Sequence, residues 1–171
     1  FTGMFYGING GTVKNLEFEN ANVTGKVSVG VIAGINTNGN IINCNVYSST
    51  VQGETRVGGL VGVNNAGTIS YSSLESSEIY GNLEVGGIAG YNNAVIENSN
   101  TWQSDIIGQG NTQRDIGGLV GKSYTSGAVI KNSYVEGTNI SGIEAVGGIA
   151  GTSDGLIQYL YTNSNLLFEE G

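Results

Sequence analysis

The chain has 171 residues, 30 of them glycine, with no proline, no histidine and one cysteine. The absence of histidine excludes Ser-His-Asp and Cys-His catalysis and the common zinc sites, and the lone Cys44 excludes an internal disulfide. A formal charge of −8 with only six Lys and Arg leaves no basic face for nucleic acid, and no apolar run is long enough to cross a membrane as a helix.

Read from the first residue, the chain restates one phrase at intervals of about 28 residues. A worn copy is Thr2-Gly3-Met4-Phe5-Tyr6-Gly7, and a looser one is Val29-Gly30-Val31-Ile32-Ala33-Gly34. The full form is Val57-Gly58-Gly59-Leu60-Val61-Gly62. It returns at Val85–Gly90, Ile116–Gly121 and Val146–Gly151. A unit this short cannot bury its own apolar face and must stack on its neighbours. The phrase divides the chain into six coils: 3–30, 31–58, 59–86, 87–117, 118–147 and 148–171. The first three align without gaps. The fourth loses one residue before Val95 and gains four around Gln109 to Gln113, and the fifth gains two around Tyr124 to Ser126. Insertions in a solenoid belong on its surface.

Vertical columns follow from this alignment. Four are aliphatic: Met4, Ile32, Leu60, Ile88, Leu119, Ile149; Val13, Ile41, Ile69, Ile96, Ile130, Ile157; Val23, Val51, Ile79, Ile106, Ile140, Leu167; and Val29, Val57, Val85, Ile116, Val146. β-Branched residues suit strands, and the local alternation has period two, not the helical period. Stacked short strands with glycine corners predict an all-β parallel β-helix (β-solenoid) of about six coils with ~28 residues per coil, 1–171 forming a single domain. At about 4.8 Å per coil, the rod is roughly 29 Å long. A polar column, Asn15, Asn43, Tyr71, Asn98, Asn132, Tyr159, predicts an asparagine ladder bonded along the stack, or a tight left-handed corner that asparagine tolerates. A second polar column reads Asn36, Asn64, Asn92, Ser123, Ser153. The column Leu16, Cys44, Ser72, Ser99, Ser133, Leu160 points inward, which makes Cys44 a small core residue. Alternation along the strand points Ser70 outward, opposite to Ile69.

The end coils carry extra bulk at Phe1, Phe5 and Phe18 and at Leu160, Leu166, Leu167 and Phe168. Solenoid ends need caps, so both ends are expected to abut further structure, and the chain, which opens inside a repeat, reads as a fragment of a larger protein.

Gly59 to Ile69 reads GLVGVNNAGTI, and Gly3 to Gly25 reads GMFYGINGGTVKNLEFENANVTG. Both resemble the GLUG repeat, and the resemblance runs along essentially the whole chain. GLUG arrays occur in large secreted or surface-anchored bacterial proteins. These include adhesin-like proteins and the non-catalytic region of immunoglobulin A-cleaving metallopeptidases, whose H-E-x-x-H zinc motif this chain lacks. The resemblance implies an extracellular or cell-surface bacterial module acting as a non-catalytic structural rod. Its partners are then neighbouring domains of the same polypeptide, without nucleic acid and without membrane insertion.

Weaker signals in the chain point to other functions. Gly121-Lys122-Ser123 ends like a phosphate-binding loop, but the required first glycine is Ile116, and the segment is a repeat corner. The best acidic cluster places Glu78 and Asp105 at one outward position in adjacent coils, with Glu75 and Trp102 sharing another. The bland reading is a solvated acidic patch beside a half-buried Trp. The sharper ones are contact with a host glycan or protein through Trp102, Glu75, Glu78 and Asp105, calcium held by carboxylate oxygens, or an acid/base pair acting on polysaccharide. No catalytic residue, cofactor or resident metal is assigned, so the chain is read as not an enzyme. Arg56, Glu84 and Asp115 share a column in which Arg56 bridges Glu84 as a surface pair supporting register.

Overall fold

The computed structural model describes residues 1–168; the last three residues of the sixth coil lie outside them. The described residues contain no α-helix, and every strand pairing is parallel. Each of the first five coils lays one strand on each of two short sheets and one to three on a third, longer one; the sixth adds one strand to the second short sheet and one to the long sheet, and successive coils stack at about 28 residues per turn. One short sheet runs through Val27–Val29, Thr55–Gly58, Leu83–Gly86, Arg114–Gly117 and Glu144–Gly147. The second follows the doubled glycine and runs through Phe5–Asn9, Ala33–Thr37, Val61–Asn64, Ala89–Asn92, Val120–Ser123 and Ala150–Ser153. The long sheet takes the rest, from Thr12–Glu19 to Leu156–Phe168.

The aliphatic columns are the core. Val13, Ile41, Ile69, Ile96, Ile130 and Ile157 pair rung by rung, as do Val29, Val57, Val85, Ile116 and Val146. One column needs correction: Ile140 pairs with Leu166, not Leu167. The register shifts because Glu136 and Asn139 are separated by two residues where their partners, Asn163 and Asn165, are separated by one. A second correction concerns Ser70. It shares an outward column with Glu97 and Lys131 yet is only 6 % exposed. Alternation gives the direction of a side chain but not how far longer neighbours cover a short one.

The doubled glycine has a specific cause. At Gly58 an added Cβ would strike the Val61 carbonyl and the Ala89 backbone of the next coil. At Gly59 it would strike the Gly87 carbonyl above and the Leu74 side chain inside, and at Gly62 the backbone of Ser28. The two short sheets therefore meet backbone to backbone along their shared seam, and V-G-G-x-x-G is the sequence that permits it.

Corners are built from residues with positive φ. One column is Asn15, Asn43, Tyr71, Asn98, Asn132 and Tyr159, with φ between 49° and 57°. A second is Asn20, Ser48, Ser76, Gln103 and Gly137. After each of these corners an inward side chain bridges two rungs. Ser72 Oγ donates to the Ser70 carbonyl and accepts from the Cys44 amide; Ser99 and Ser133 repeat the pattern. Ser49, Ser77, Ser104 and Thr138 do the same at the second corner. Amides and carbonyls that the corner removes from the strand ladder are satisfied in this way. In the corner column the asparagine ladder is a single bond, Asn43 Nδ2 to Asn15 Oδ1 at 2.9 Å; the continuous ladder lies inside the rod in the other polar column, where Asn36 Nδ2 donates to Asn64 Oδ1 at 3.0 Å and Asn64 Nδ2 to Asn92 Oδ1 at 2.9 Å.

Both insertions sit between strands, as expected. Gly81 pairs with Gly108 and Leu83 with Arg114, so residues 109–113 replace the single Asn82. The end coils leave Met4, Tyr6, Tyr159 and Phe168 more than half exposed.

Candidate functional site

The long sheet presents a flat outward face. Along it, Tyr47, Glu75, Trp102 and Glu136 occupy one column, extended by Glu19 and Asn163. Two residues earlier in each strand lies the column Asn45, Ser73, Asn100, Tyr134, Tyr161. Beyond the second corner lies the column Thr50, Glu78, Asp105, Asn139, Asn165. Rung pairing thus puts Glu75 beside Trp102 and Glu78 beside Asp105.

Backbone bonding fixes Trp102. Its carbonyl accepts from the Ser76 amide and from Ser104 Oγ, 2.9 Å away. The indole is 37 % exposed. Glu78 Oε2 accepts from the Tyr80 hydroxyl at 3.0 Å, and Asp105 Oδ1 from Asn139 Nδ2 at 2.8 Å. Asn139 Oδ1 in turn accepts from Asn165 Nδ2, which continues the polar column upward. Partial burial pushes the Tyr80 hydroxyl above the ordinary tyrosine range, and the hydrogen bond to Glu78 adds to the shift. The face therefore offers hydrogen-bond acceptors beside aromatic rings. Among the described residues no three His, Cys, Asp or Glu side chains group as metal ligands, and no pocket encloses Glu78 and Asp105.

A second cluster surrounds the column of Arg56, Glu84 and Asp115. Residues 28, 56, 84, 115 and 145 precede the buried column of Val29 and Val57, and all have positive φ. Arg56 Nε donates to Glu84 Oε2 at 2.9 Å. The pairing is the one expected, but Glu84 is only 8 % exposed and Asp115 only 2 %. This seam is buried, not superficial, because the two short sheets meet there. Thr152 Oγ1 donates to Asp115 Oδ1, and Arg114 Nε lies 3.3 Å from Asp115 Oδ2. Over the seam, Arg56 sits 4.9 Å from the Tyr91 ring centre, Tyr91 is 6.0 Å from Tyr124, and Lys122 is 5.4 Å from Tyr124. The alternation of Tyr91, Lys122 and Thr152 in one column was the available signal.

Cys44 is buried and free. Its Sγ lies 3.5 Å from the Ile42 carbonyl, the place Ser72, Ser99 and Ser133 use for their hydroxyls. Burial raises its pKa above the ordinary thiol value.

Comparison with known proteins adds one match. A family model described as the GLUG motif fits residues 112–141, which run from the end of the fourth coil's insertion through the doubled glycine at Gly117-Gly118 and most of the fifth coil. No curated protein matches the chain, and no solved structure matches it. The motif falls on one turn of a regular stack whose other turns repeat the same phrase: the chain is a parallel β-solenoid, and residues 112–141 of it match the GLUG motif.

Proposed function

We propose that this β-solenoid is a non-catalytic structural module, a rigid rod that spaces or supports neighbouring domains of a bacterial secreted or cell-surface protein. The observation that supports it most is the continuity of the interior. Aliphatic columns, two hydroxyl ladders and an asparagine ladder pass from coil to coil, and the described surface has no cleft in which a substrate is shielded from water. Glu78 and Asp105 lie on the open outward face of the long sheet, with no cleft around them to shield an acid/base pair from water. The GLUG motif agrees with an extracellular setting, including that of an accessory domain in a secreted peptidase.

The test has two parts. Antibody labelling and protease shaving of intact source cells should find the domain outside the membrane; confinement to the cytosolic fraction would overturn the surface reading. The purified domain should turn over neither polysaccharide nor protein substrates. Hydrolysis that disappears in Glu78→Gln or Asp105→Asn would replace the scaffold with an enzyme.

A further inference from the structure

We infer that the outward face of the long sheet binds an extended, uncharged β-linked glycan along a diagonal stripe of aromatic rings formed by Tyr47, Trp102, Tyr134 and Tyr161. This goes beyond the scaffold reading, which stands independently of it.

The stripe is set by register. Tyr47 and Trp102 lie in one column two coils apart. Tyr134 is one coil above Trp102 in the adjacent column, and Tyr161 follows one coil later. Stacked rungs are separated by ~4.8 Å, so Tyr47 and Trp102 are separated by ~10 Å along the rod. A β-1,4-linked pyranose chain in its flat two-fold form advances by about one rung spacing per sugar and turns over at each linkage. Tyr47, Trp102 and Tyr161, at intervals of two rungs, therefore meet the same face of alternate sugars, and Tyr134, one rung from Trp102 and from Tyr161, meets the sugar between them. Tyr134 and Tyr161 are 40 % and 55 % exposed, and Trp102 is more than one-third exposed. Aromatic rings left half in water on a flat sheet present a large apolar surface at small entropic cost.

The polar residues beside the stripe select the ligand class. Glu75, Glu136, Asn100 and the Asp105–Asn139 pair flank the rings. Sugar hydroxyls donate to carboxylates and amide oxygens, while an anionic glycan meets Glu19, Glu75 and Glu136 in the same column as Trp102. The net charge of −8 opposes polyanions at longer range as well. A flat face without a groove suits a chain lying on the surface, not a terminal sugar held in a pocket.

Trp102 is the sole tryptophan, so its fluorescence reports this face alone. Titration of the intact domain with cellohexaose and with xylohexaose should shift or quench that emission, and calorimetry should give a matching affinity. Trp102→Ala and Tyr134→Ala should each weaken binding by about tenfold in calorimetry while leaving the melting temperature unchanged. Tyr71→Asn, at an exposed corner off the stripe, should leave binding intact. The inference fails if neither hexasaccharide binds at millimolar concentration, if polygalacturonate binds as well as the neutral chains, or if the stripe variants bind like wild type. Capture of a protein ligand through Trp102 without glycan binding also overturns it.

Discussion

Asn64 sits between two copies of itself, accepting a hydrogen bond from Asn36 below and giving one to Asn92 above. All three are fully buried. Asn64→Leu would remove an acceptor from Asn36, a donor from Asn92 and a donor from the Val95 carbonyl, which Asn64 Nδ2 also reaches at 3.3 Å. Stranding buried polar groups costs about 1–3 kcal/mol each, so this variant should lose at least about 2 kcal/mol in urea denaturation. Asn65→Ala, at the exposed neighbour, should change stability by less than about 0.5 kcal/mol.

The seam between the short sheets yields a glycine test. A Cβ on Gly90 would meet the backbone of Arg56 and Val57, and backbone cannot swing aside as a long side chain can. Gly90→Ala should destabilise the rod by about 3 kcal/mol. Gly127, just after the fifth coil's insertion, has open space around it. Gly127→Ala should be neutral or stabilise by about 0.4 kcal/mol through the unfolded chain. Equal melting temperatures for the two variants would disprove the close approach.

Cys44 occupies a serine's post. Cys44→Ser should keep the interstrand bridge and leave the melting temperature within a few degrees of wild type. A bulky thiol reagent should not label the native protein at neutral pH, because the thiol is buried and its pKa is raised. Rapid labelling before unfolding would place Cys44 outside the core.

The insertion at 109–113 should be removable. Asn82 Oδ1 accepts from the amides of Thr112 and Gln113, so the loop is tethered, but the first bond is exposed and the second only partly buried. Deleting residues 109–112 restores the one-residue link used between Gly81 and Leu83. The strand signal in circular dichroism should persist, with a stability change of about 1 kcal/mol or less. Loss of the cooperative melt would mean that the loop holds the fourth coil.

Alkaline pH should weaken the rod through Tyr80. The folded state raises its pKa, so the neutral phenol contributes stability below its ordinary value of 10.0, and that contribution is lost as pH rises through the folded pKa. Melting temperature should therefore fall above pH ~10, and less steeply in Tyr80→Phe. Parallel curves for the two proteins would remove Tyr80 from the linkage.

These tests also show what was readable beforehand. In a solenoid the period is the register, so Ile69 over Ile41 and Trp102 over Glu75 followed from counting alone. The left-handed corner at Asn15 and Asn43 followed because asparagine advertises that backbone, whereas Arg56, Glu84 and Asp115 adopt it without any such preference. Their burial was hidden for a related reason: it depends on how closely two sheets meet, and only the glycines at 62, 90, 121 and 151 record that. Leu167 was displaced by one missing residue at a corner, a change too small to disturb the hydrophobic pattern around it. For the candidate site, columns placed Glu75, Glu78, Trp102 and Asp105 on one face. The line of rings through Tyr134 and Tyr161 crosses columns and became visible only with the sheet assembled.

Because the bonds between coils are directed along the rod, tension applied at its two termini does not load the stack all at once. It opens the terminal rung first, then the next, as a zipper opens tooth by tooth. Each release frees one coil of about 28 residues, or ~95 Å of extended chain. Under load such a rod pays out length in equal increments, and an end coil that detaches leaves the seam and ladders of the remaining coils intact.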